Sequence, residues 1–298
     1  MTRKFPTVTA HICSGTNSKS SLSSLCKSSH SFLYEHKPDV IVINETWLKP
    51  SILDSEVLPE IYKLWREDRS EKTHPWDPSQ PKKFRKGGGG VLIACRRDID
   101  VECTKVGFIK VQAEILSVNM KLASGKRLNI STFYRVGNLG NENFDEVQKF
   151  LTALASKKKL DKHILIGDVN FPEVTWPDPS TSNQLHKNFI NLLIDDLGHS
   201  QMINEPTHKD GNILDLLFTN ISDMVSNISV LGRNEACMSD HFGVKFKTNL
   251  NISNIGKWKS EVFIITLRLT GKVLTLNLKN ELELHFRLTG PAHFLANI

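Results

Sequence analysis

The sequence predicts an α/β protein built of layered sheets and helices, and three observations lead to this prediction. Short continuous apolar runs, such as 40–43 and 163–166, have the length and composition of strands buried on both faces. A segment with apolar residues at helical spacing, 184–197, lies among such runs. Two further strands, 115–121 and 127–134, are joined by a short turn. Helices that alternate with buried and hairpin strands are typical of a layered α/β sandwich.

The N-terminal part of the chain alternates strand, helix and strand. Residues 7–13 are rich in β-branched side chains, and the polar run 14–18 ends this strand. Apolar residues at helical spacing then predict a helix over 20–36, which Pro38 closes. The continuous apolar run 40–43 follows as a buried strand.

A long basic segment, 66–90, is rich in Pro, Lys, Ser and Gly and is predicted to be a loop. It ends in four glycines, 87–90, just before a strand at 91–95. A glycine run cradles phosphate when the N-terminus of a helix follows it. Because a strand follows here, we interpret the run as a flexible hinge or as a close-packed entry into that strand.

The remaining elements are predicted from the same two signals, helical spacing of apolar residues and short apolar or alternating runs. The first of them, the 115–121 and 127–134 hairpin, turns at 123–126. The others are helices at 144–154 and 184–197 and strands at 163–166, 213–219, 227–231 and 241–246.

The length of the chain sets the expected domain organisation. A chain of 298 residues fits one α/β domain of about 200 to 250 residues plus an appendage. Beyond residue 249 the pattern changes to alternating leucines with turn candidates between them, and it contains no catalytic cluster. We therefore predict a main domain at 1–249 and a C-terminal tail at 250–298 that is β-hairpin-like.

Composition and charge narrow the class of protein. A chain with 39% hydrophobic and 23% charged residues is expected to fold. The net charge of +6 favours polyanionic partners such as nucleic acid. The five cysteines form no C-x-x-C pair, which argues against a zinc site or a disulfide framework. The N-terminus lacks an apolar signal region and no run is long enough to cross a membrane, so we expect a soluble intracellular protein.

Polar residues suited to catalysis or metal binding gather where the predicted strands begin or end. Acids, amides and an imidazole at four such ends are more than turn formation alone requires. They are Asn17 in a strand-to-helix loop, Glu45 after 40–43, Tyr134 and Arg135 after 127–134, Asp168 and Asn170 after 163–166, Asp215 in 213–219, and Asp240 and His241 at the start of the last strand.

Hydrolysis of a phosphodiester requires neutralisation of charge on the phosphoryl oxygens, an activated water and help for the departing oxygen. Glu45 is a carboxylate of the kind that Mg²⁺ binds. Asp168 is a candidate to orient or deprotonate the attacking water, and Asn170 to hold the water or the phosphate through its amide.

A second group of residues supplies the remaining functions. Asp215 faces away from its two leucine neighbours on an alternating strand and is suited to accept a proton from His241, which keeps that imidazole charged and fixed. A cationic His241 would stabilise negative charge at the phosphorus. Asp240 is placed to assist the water or the metal, and Tyr134 with Asn17 to donate hydrogen bonds to the phosphate.

Each of these residues also has a purely structural explanation when it is taken alone. Asp168 and Asn170 suit a turn after a strand, and Asp240 with His241 suits a capped loop. Tyr134 can be a half-buried aromatic residue with a satisfied hydroxyl. The coincidence of these groups at several strand ends favours the catalytic explanation.

The ordered set of motifs carries a resemblance that covers about residues 11–247. The motifs are Asn17, Asn44–Leu48, Gly88–Val91, Phe133–Arg135, Gly167–Asn170, Leu214–Leu216 and Ser239–His241. In this order they resemble the endonuclease/exonuclease/phosphatase superfamily. More narrowly, they resemble the apurinic-type endonuclease domain of non-LTR (LINE, jockey-like) retrotransposons.

This resemblance implies a fold, a cofactor and a partner. The implied fold is a DNase I-like four-layer α/β sandwich with two mixed sheets flanked by helices. The implied cofactor is Mg²⁺ or Mn²⁺, and the implied partner is DNA, which is nicked to expose a 3′-hydroxyl that primes reverse transcription. A nuclear location follows from that substrate. No membrane association and no stable protein partner are implied.

The resemblance also implies a role for each matching residue. It makes Glu45, Asn17 and Asp240 the metal ligands, and Asp168, Asn170, Asp215, His241, Tyr134 and Asp240 the catalytic residues, with Asn17, Asn170 and Arg135 binding the substrate.

Some departures from the family pattern keep other functions open. Val136 stands where the family has a proline after Tyr-Arg, and no reverse-transcriptase domain follows, so we expect a truncated reading frame derived from a retroelement. One alternative is a non-catalytic nucleic-acid-binding remnant of the same fold. Another is a phosphatase or phosphodiesterase of the superfamily that acts on small molecules or lipids.

Overall fold

The computed structural model describes residues 38–69, 89–104, 114–135, 147–153, 162–231 and 240–250, together with the backbone of a strand at 261–266. The predicted strand at 7–13, the predicted helix at 20–36 and the candidate ligand Asn17 lie outside these residues.

Twelve strands within the described residues form two six-stranded sheets. The first sheet has the order β10-β11-β12-β1-β3-β2, and the second has the order β4-β5-β6-β7-β9-β8. In chain order the strands are β1 Val40–Asn44, β2 Tyr62–Glu67, β3 Val91–Arg96, β4 Val101–Cys103, β5 Glu114–Lys121, β6 Arg127–Tyr134, β7 Lys162–Asp168, β8 Ser200–Gln201, β9 Asp215–Thr219, β10 Val225–Leu231, β11 Gly243–Thr248 and β12 Glu261–Thr266.

The two sheets pack face to face over the main hydrophobic core. From the first sheet, β1 and β3 contribute residues such as Val42 and Ile93, which are fully buried. From the second sheet, β6 and β7 contribute Ile130 and Ile166. Alternate residues of a strand point to opposite faces, and both faces of β1 are buried. This is why the sequence of β1 is continuously apolar.

The helices α2, 147–153, and α3, Gln184–Asn191, cover the other face of the second sheet, and α3 continues into a π-helical turn at Leu192–Asp196. The other helical segments among the described residues are α1 Asp54–Val57 and a 3-10 turn at Ser222–Met224. A second core forms where Phe150 of α2 and Phe189 of α3 meet Phe133 and Phe218 of the sheet. Asn183 caps α3, because its side chain accepts a hydrogen bond from the amide of Leu185.

The predicted layered α/β sandwich with two mixed sheets is confirmed, and helices lie on an outer face. Some boundaries differ from the predictions. The predicted loop at 66–90 loses its first residues to β2, which ends at Glu67. His241 was predicted inside the last strand, but β11 begins at Gly243 because His241 instead forms an isolated bridge with His208.

The strand β12 lies beyond the predicted boundary at residue 249. It pairs in parallel with β1 and antiparallel with β11, so it occupies an interior position of the first sheet. The rest of the predicted tail, including its hairpin-like fold, lies outside the described residues.

None of the helices among the described residues has the length and apolar character that a membrane span requires.

Candidate active site

Three candidate residues form a row across the second sheet. β6 pairs in parallel with β7, which places Tyr134 opposite Asp168, and β7 pairs antiparallel with β9, which places Asp168 opposite Asp215. All three side chains are buried. The register of two strand pairs therefore brings together side chains that are 81 positions apart in the sequence, from residue 134 to residue 215.

His241 joins this row from the segment that precedes β11. Its Nδ1 lies 2.8 Å from Oδ2 of Asp215, and its Nε2 lies 3.9 Å from Oδ2 of Asp168. Burial disfavours the charged imidazole, but the carboxylates of Asp215, Asp168 and Asp240 outweigh it and raise the pKa of His241 to about 10. A pKa near 10 keeps the imidazole cationic at neutral pH.

Asp168 and Asn170 occupy a tight turn at the end of β7. The backbone amide of Asn170 donates to Oδ1 of Asp168 at 3.0 Å, and Asn170 has a φ of 52°. Burial raises the pKa of the Asp168 carboxyl well above its usual value, the neighbouring His241 opposes this shift, and Asp215 and Glu45 add to it. This carboxyl is thus closer to the neutral pH range than an exposed aspartate.

Glu45 lies at the end of β1 and meets the row from the first sheet. The hydroxyl of Tyr134 donates to Oε1 of Glu45, which connects the two sheets at the site. Burial, followed by the charges of Glu45 and Asp168, raises the pKa of Tyr134, so its hydroxyl stays protonated. Glu45 has a φ of 52°, a left-handed conformation that a non-glycine residue adopts only under constraint.

The constraint on Glu45 comes from the glycines that precede β3. The amides of Thr46 and Trp47 donate to the carbonyls of Gly90 and Gly89. A Cβ on Gly90 would lie 2.4 Å from Oγ1 of Thr46. These two glycines are therefore a close-packed strand entry, which is one of the two interpretations drawn from the sequence. Gly87 and Gly88 lie outside the described residues.

A buried ion pair beneath this contact was not found from the sequence. Nε of Arg69 lies 2.6 Å from Oε1 of Glu114, and both side chains are at least nine-tenths buried. The guanidinium of Arg69 lies 5.9 Å from the ring centroid of Tyr134, and Glu114 accepts a backbone hydrogen bond from Gly90. The pair thus supports both Tyr134 and the Gly90 turn. Arg69 lies near the start of the basic segment 66–90, where no sequence signal set it apart.

Arg135 was predicted to bind the substrate, and the structure shows it largely buried beside Asn170. Its Nη1 donates to the carbonyl of Asn170 at 2.9 Å, and its guanidinium lies 5.3 Å from the ring centroid of Phe171. These contacts hold the backbone of the Asn170 turn. A contact between Arg135 and a substrate stays a prediction.

Asp240 lies at the rim of the site. Its side chain is 18% exposed, and its Oδ2 lies 3.9 Å from Nε2 of His208. His208 was not a sequence candidate. It lies in the 204–212 loop, which meets the 240–242 segment through the His208 and His241 bridge.

The described candidates fit a divalent cation. Burial of Asp168, together with repulsion from Asp215 and Glu45, raises the pKa of its carboxyl. The cationic His241 compensates only one of these three negative charges. Carboxylate oxygens are the ligands that Mg²⁺ and Mn²⁺ prefer. Within the row, the ligand atoms of Asp168, Asp215 and His241 lie within 4.8 Å of one another. Glu45 and Asp240 stay predicted ligands. Asn17, the third predicted ligand, lies outside the described residues.

Part of the chain matches a known protein family. The family described as endonuclease-reverse transcriptase matches residues 128–245, a span that holds the described candidates other than Glu45. No curated protein sequence matches the chain.

Several solved structures are similar in fold. The endonuclease domain of TRAS1, a telomere-specific non-LTR retrotransposon, aligns with a TM-score of 0.53 at 14% identity over 77% of this chain and 92% of that one. The catalytic domain of Xenopus laevis APE2 aligns with a TM-score of 0.51 at 16% identity over 75% and 87%. An endonuclease/exonuclease/phosphatase family protein from Leptotrichia buccalis aligns with a TM-score of 0.50 at 16% identity over 76% and 93%.

These matches confirm the resemblance to the endonuclease/exonuclease/phosphatase superfamily and, within it, to the endonucleases of non-LTR retrotransposons.

Proposed function

From this family resemblance, we propose that the protein is a Mg²⁺- or Mn²⁺-dependent DNA endonuclease that hydrolyses phosphodiester bonds and nicks target DNA in retrotransposition. The observation that carries the proposal is the buried row of Tyr134, Asp168 and Asp215, which holds the cationic His241 at one end and contacts Glu45 at the other. Five ionisable groups that share one buried site are typical of a functional site.

Asp168 acts on the attacking water in this proposal. Its Oδ1 accepts the amide of Asn170, and its Oδ2 faces Nε2 of His241 at 3.9 Å. A carboxyl with a raised pKa is a stronger base than an ordinary one and transfers protons more efficiently near neutral pH. Asn170, held in its turn by Asp168 and Arg135, presents its amide to the water or the phosphate.

His241 stabilises the negative charge that develops on the phosphoryl oxygens. The hydrogen bond from Nδ1 to Asp215 fixes the ring, so Nε2 and its proton point into the site. A cation that is fixed before the reaction stabilises the transition state without reorganising. Tyr134 keeps its proton and orients the carboxylate of Glu45.

Glu45 and Asp240, with Asn17 as a predicted third ligand, would hold the divalent ion. The bound ion would neutralise phosphoryl charge and polarise the scissile bond.

DNA is the proposed substrate, and a nuclear location follows from it. The net charge of +6 suits a polyanion, and the matching family and the TRAS1 domain are both described as endonucleases.

The test is nicking of supercoiled plasmid by the full chain, with Mg²⁺ and with EDTA. We expect nicking that depends on the metal and that Glu45→Gln abolishes, because the neutral amide is a poor ligand for a hard cation. The exposed Glu102→Gln is the matched control and should nick like the parent. Circular dichroism of both variants checks folding.

Two outcomes would reject the proposal or part of it. A folded parent that does not nick with Mg²⁺ or Mn²⁺ would favour a non-catalytic nucleic-acid-binding protein. Nicking by Glu45→Gln at the parental rate would reject Glu45 as a ligand.

A further inference from the structure

The rim of the site contains a second cluster of ligand atoms, on two segments that the sequence does not connect. His208, Asp240 and His241 each offer a ligand atom within 4.8 Å of the others. The exposed fractions of these side chains are 12%, 18% and 7%, so an ion can reach them while they keep fixed positions.

The backbone fixes the two segments against each other. The amide of Lys209 donates to the carbonyl of Asp240 at 2.8 Å, and the amide of Phe242 donates to the carbonyl of Thr207 at 2.7 Å. His208 and His241 also form an antiparallel bridge, with ring centroids 5.0 Å apart. Because each ligand residue adjoins one of these hydrogen bonds, little ordering is needed when an ion binds.

The nitrogen of each ring that faces away from the cluster lies near a carboxylate. Nδ1 of His241 lies 2.8 Å from Oδ2 of Asp215. Nδ1 of His208 accepts a hydrogen bond from the backbone amide of Asp210 at 3.2 Å and lies 3.4 Å from Oδ2 of the same residue. Metal-bound histidines commonly donate their second N–H to a carboxylate. Binding of an ion to Nε2 of His208 therefore moves the ring proton to Nδ1, where Oδ2 of Asp210 replaces the amide as its partner.

We propose that His208, Asp240 and His241 bind a transition-metal ion of the Zn²⁺ class. Two imidazole nitrogens and one carboxylate suit Zn²⁺, which takes nitrogen and oxygen ligands in tetrahedral sites, better than they suit Mg²⁺, which requires mainly oxygen. In such a tetrahedron, ligand atoms lie about 3.3 to 3.5 Å apart. The 3.9 Å between Nε2 of His208 and Oδ2 of Asp240 therefore needs to close by only a few tenths of an ångström.

Occupation of this site has a consequence that rests on the proposed endonuclease function. The ion takes the place of the proton on Nε2 of His241, and this proton passes to solvent. His241 then no longer presents a hydrogen-bond donor to the phosphate, and Asp240 is diverted from the Mg²⁺ site. Zn²⁺ is therefore an inhibitor of the Mg²⁺-supported reaction.

Binding is tested without any activity measurement, by titrating the full chain with Co²⁺ and recording the visible absorption of low-coordinate Co²⁺. We expect one equivalent to bind and Zn²⁺ to displace it. His208→Asn should weaken binding at least tenfold, and Asp210→Asn should weaken it about 10-fold, since loss of an outer-shell carboxylate typically costs 10- to 100-fold in affinity. Lys209→Gln, a change in the same loop that leaves the three ligands in place, should bind like the parent.

Equal Co²⁺ binding by His208→Asn and the parent would overturn the inference, and so would the absence of a visible band from the folded parent. Inhibition of Mg²⁺-supported nicking by Zn²⁺ should be at least tenfold weaker in His208→Asn, relative to that variant's own rate. A parent that binds Co²⁺ as expected but never nicks would reject the proposed function and leave the metal site standing. A parent that nicks but binds no Co²⁺ would reject the metal site and leave the proposed function standing.

Discussion

At the scale of single residues, Asp215 shows how one buried carboxylate sets the charge of a neighbour. Burial alone would lower the pKa of His241, yet the contact with Asp215 and the nearby Asp168 raise it to about 10. His241 is thus positively charged at neutral pH, and it lies beside Asp168, whose own pKa is raised by burial.

Asp215→Asn is predicted to slow nicking by a factor on the order of 10² to 10⁴, because the imidazole loses the charge that holds and protonates it. The alkaline limb of the pH–rate profile should move from near pH 10 to a lower pH, since the pKa of His241 falls towards its usual 6.5. The pH–rate profile of plasmid nicking measures both the lower rate and the shift of the alkaline limb. The exposed Asp196→Asn serves as the control, and an alkaline limb that stays in place in Asp215→Asn would contradict the assignment.

Substitutions at Gly90 and Gly125 separate the strain of a left-handed backbone from the steric overlap of an added Cβ. Both have positive φ, +89° and +77°, but a Cβ on Gly90 would meet Thr46 at 2.4 Å whereas a Cβ on Gly125 meets no atom within 4 Å. Gly125→Ala should cost about 1 to 2 kcal/mol from the left-handed backbone alone. Gly90→Ala should cost more and should raise the Mg²⁺ concentration required for nicking, because it displaces the turn that holds Glu45. Urea denaturation and a Mg²⁺ titration measure these effects, and equal results for the two variants would contradict the close-packing argument.

At the scale of elements, β7 carries the candidate residue Asp168 at one end and His163 near the other, where His163 pairs with the imidazole of His199. Nδ1 of His199 lies 3.0 Å from the carbonyl of Leu197 and donates to it, so Nε2 of His199 accepts from Nδ1 of His163 at 2.9 Å. A proton added to Nε2 of His199 would remove this bond, and a proton added to Nε2 of His163 would remove the acceptor that faces Oγ of Ser131 at 3.1 Å. Burial lowers the pKa of both residues, and the neighbouring His199 lowers that of His163 further.

This pair predicts a loss of stability in acid. The folded-state pKa of His163 lies below its unfolded value of 6.5, so its contribution is complete above that pH and is lost as the pH falls towards the folded-state pKa. His163→Gln should reduce the pH dependence of the unfolding free energy below pH 6.5 by about 1.4 kcal/mol per pH unit, the effect of one proton. Ser131→Ala removes a polar partner of His163 but no titrating group and should leave the slope unchanged. Equal slopes for His163→Gln and the parent would contradict the assignment.

At the scale of the whole molecule, β12 determines whether the first sheet is continuous. Its position Ile264 pairs with Val42 of β1 on one side and with Val244 of β11 on the other. Without β12, β1 and β11 would lose these pairings. β1 ends just before Glu45, and β11 begins two residues after His241, so both strands adjoin the candidate site.

Ile264→Pro is predicted to lower the unfolding free energy by about 3 kcal/mol or more, because proline cannot donate to a ladder in the interior of a sheet. Thr270→Pro, in a segment that the sequence predicts to turn, should have a small effect. Urea denaturation of both variants measures the two unfolding free energies. Equal stabilities would show that β12 does not contribute to the folded domain.

Much of the fold and of the site could be predicted from the sequence. The apolar runs of β1 and β7 identified them as strands buried on both faces, and the hairpin of β5 and β6 followed from alternation around a turn. The candidates Glu45, Tyr134, Asp168, Asp215 and His241 were recognised by residue type, position at strand ends and family motif, and the structure brings all five together.

Other features could not be predicted. Arg69 and Glu114 are 45 positions apart, and His208 and Asp240 carry no local pattern that marks them as neighbours. The contact of the Arg135 guanidinium with the carbonyl of Asn170 also carries no signal in the sequence. Contacts of this kind depend on the path of the backbone between distant segments.

The sequence by itself therefore determined the secondary structure and the chemical groups, because hydrophobic periodicity and turn chemistry are local properties. Only the tertiary structure decided that Tyr134, Asp168 and Asp215 form one row, that β12 enters the first sheet and that His208 faces Asp240. These outcomes depend on strand order and register, which are fixed when whole sheet faces are buried against each other.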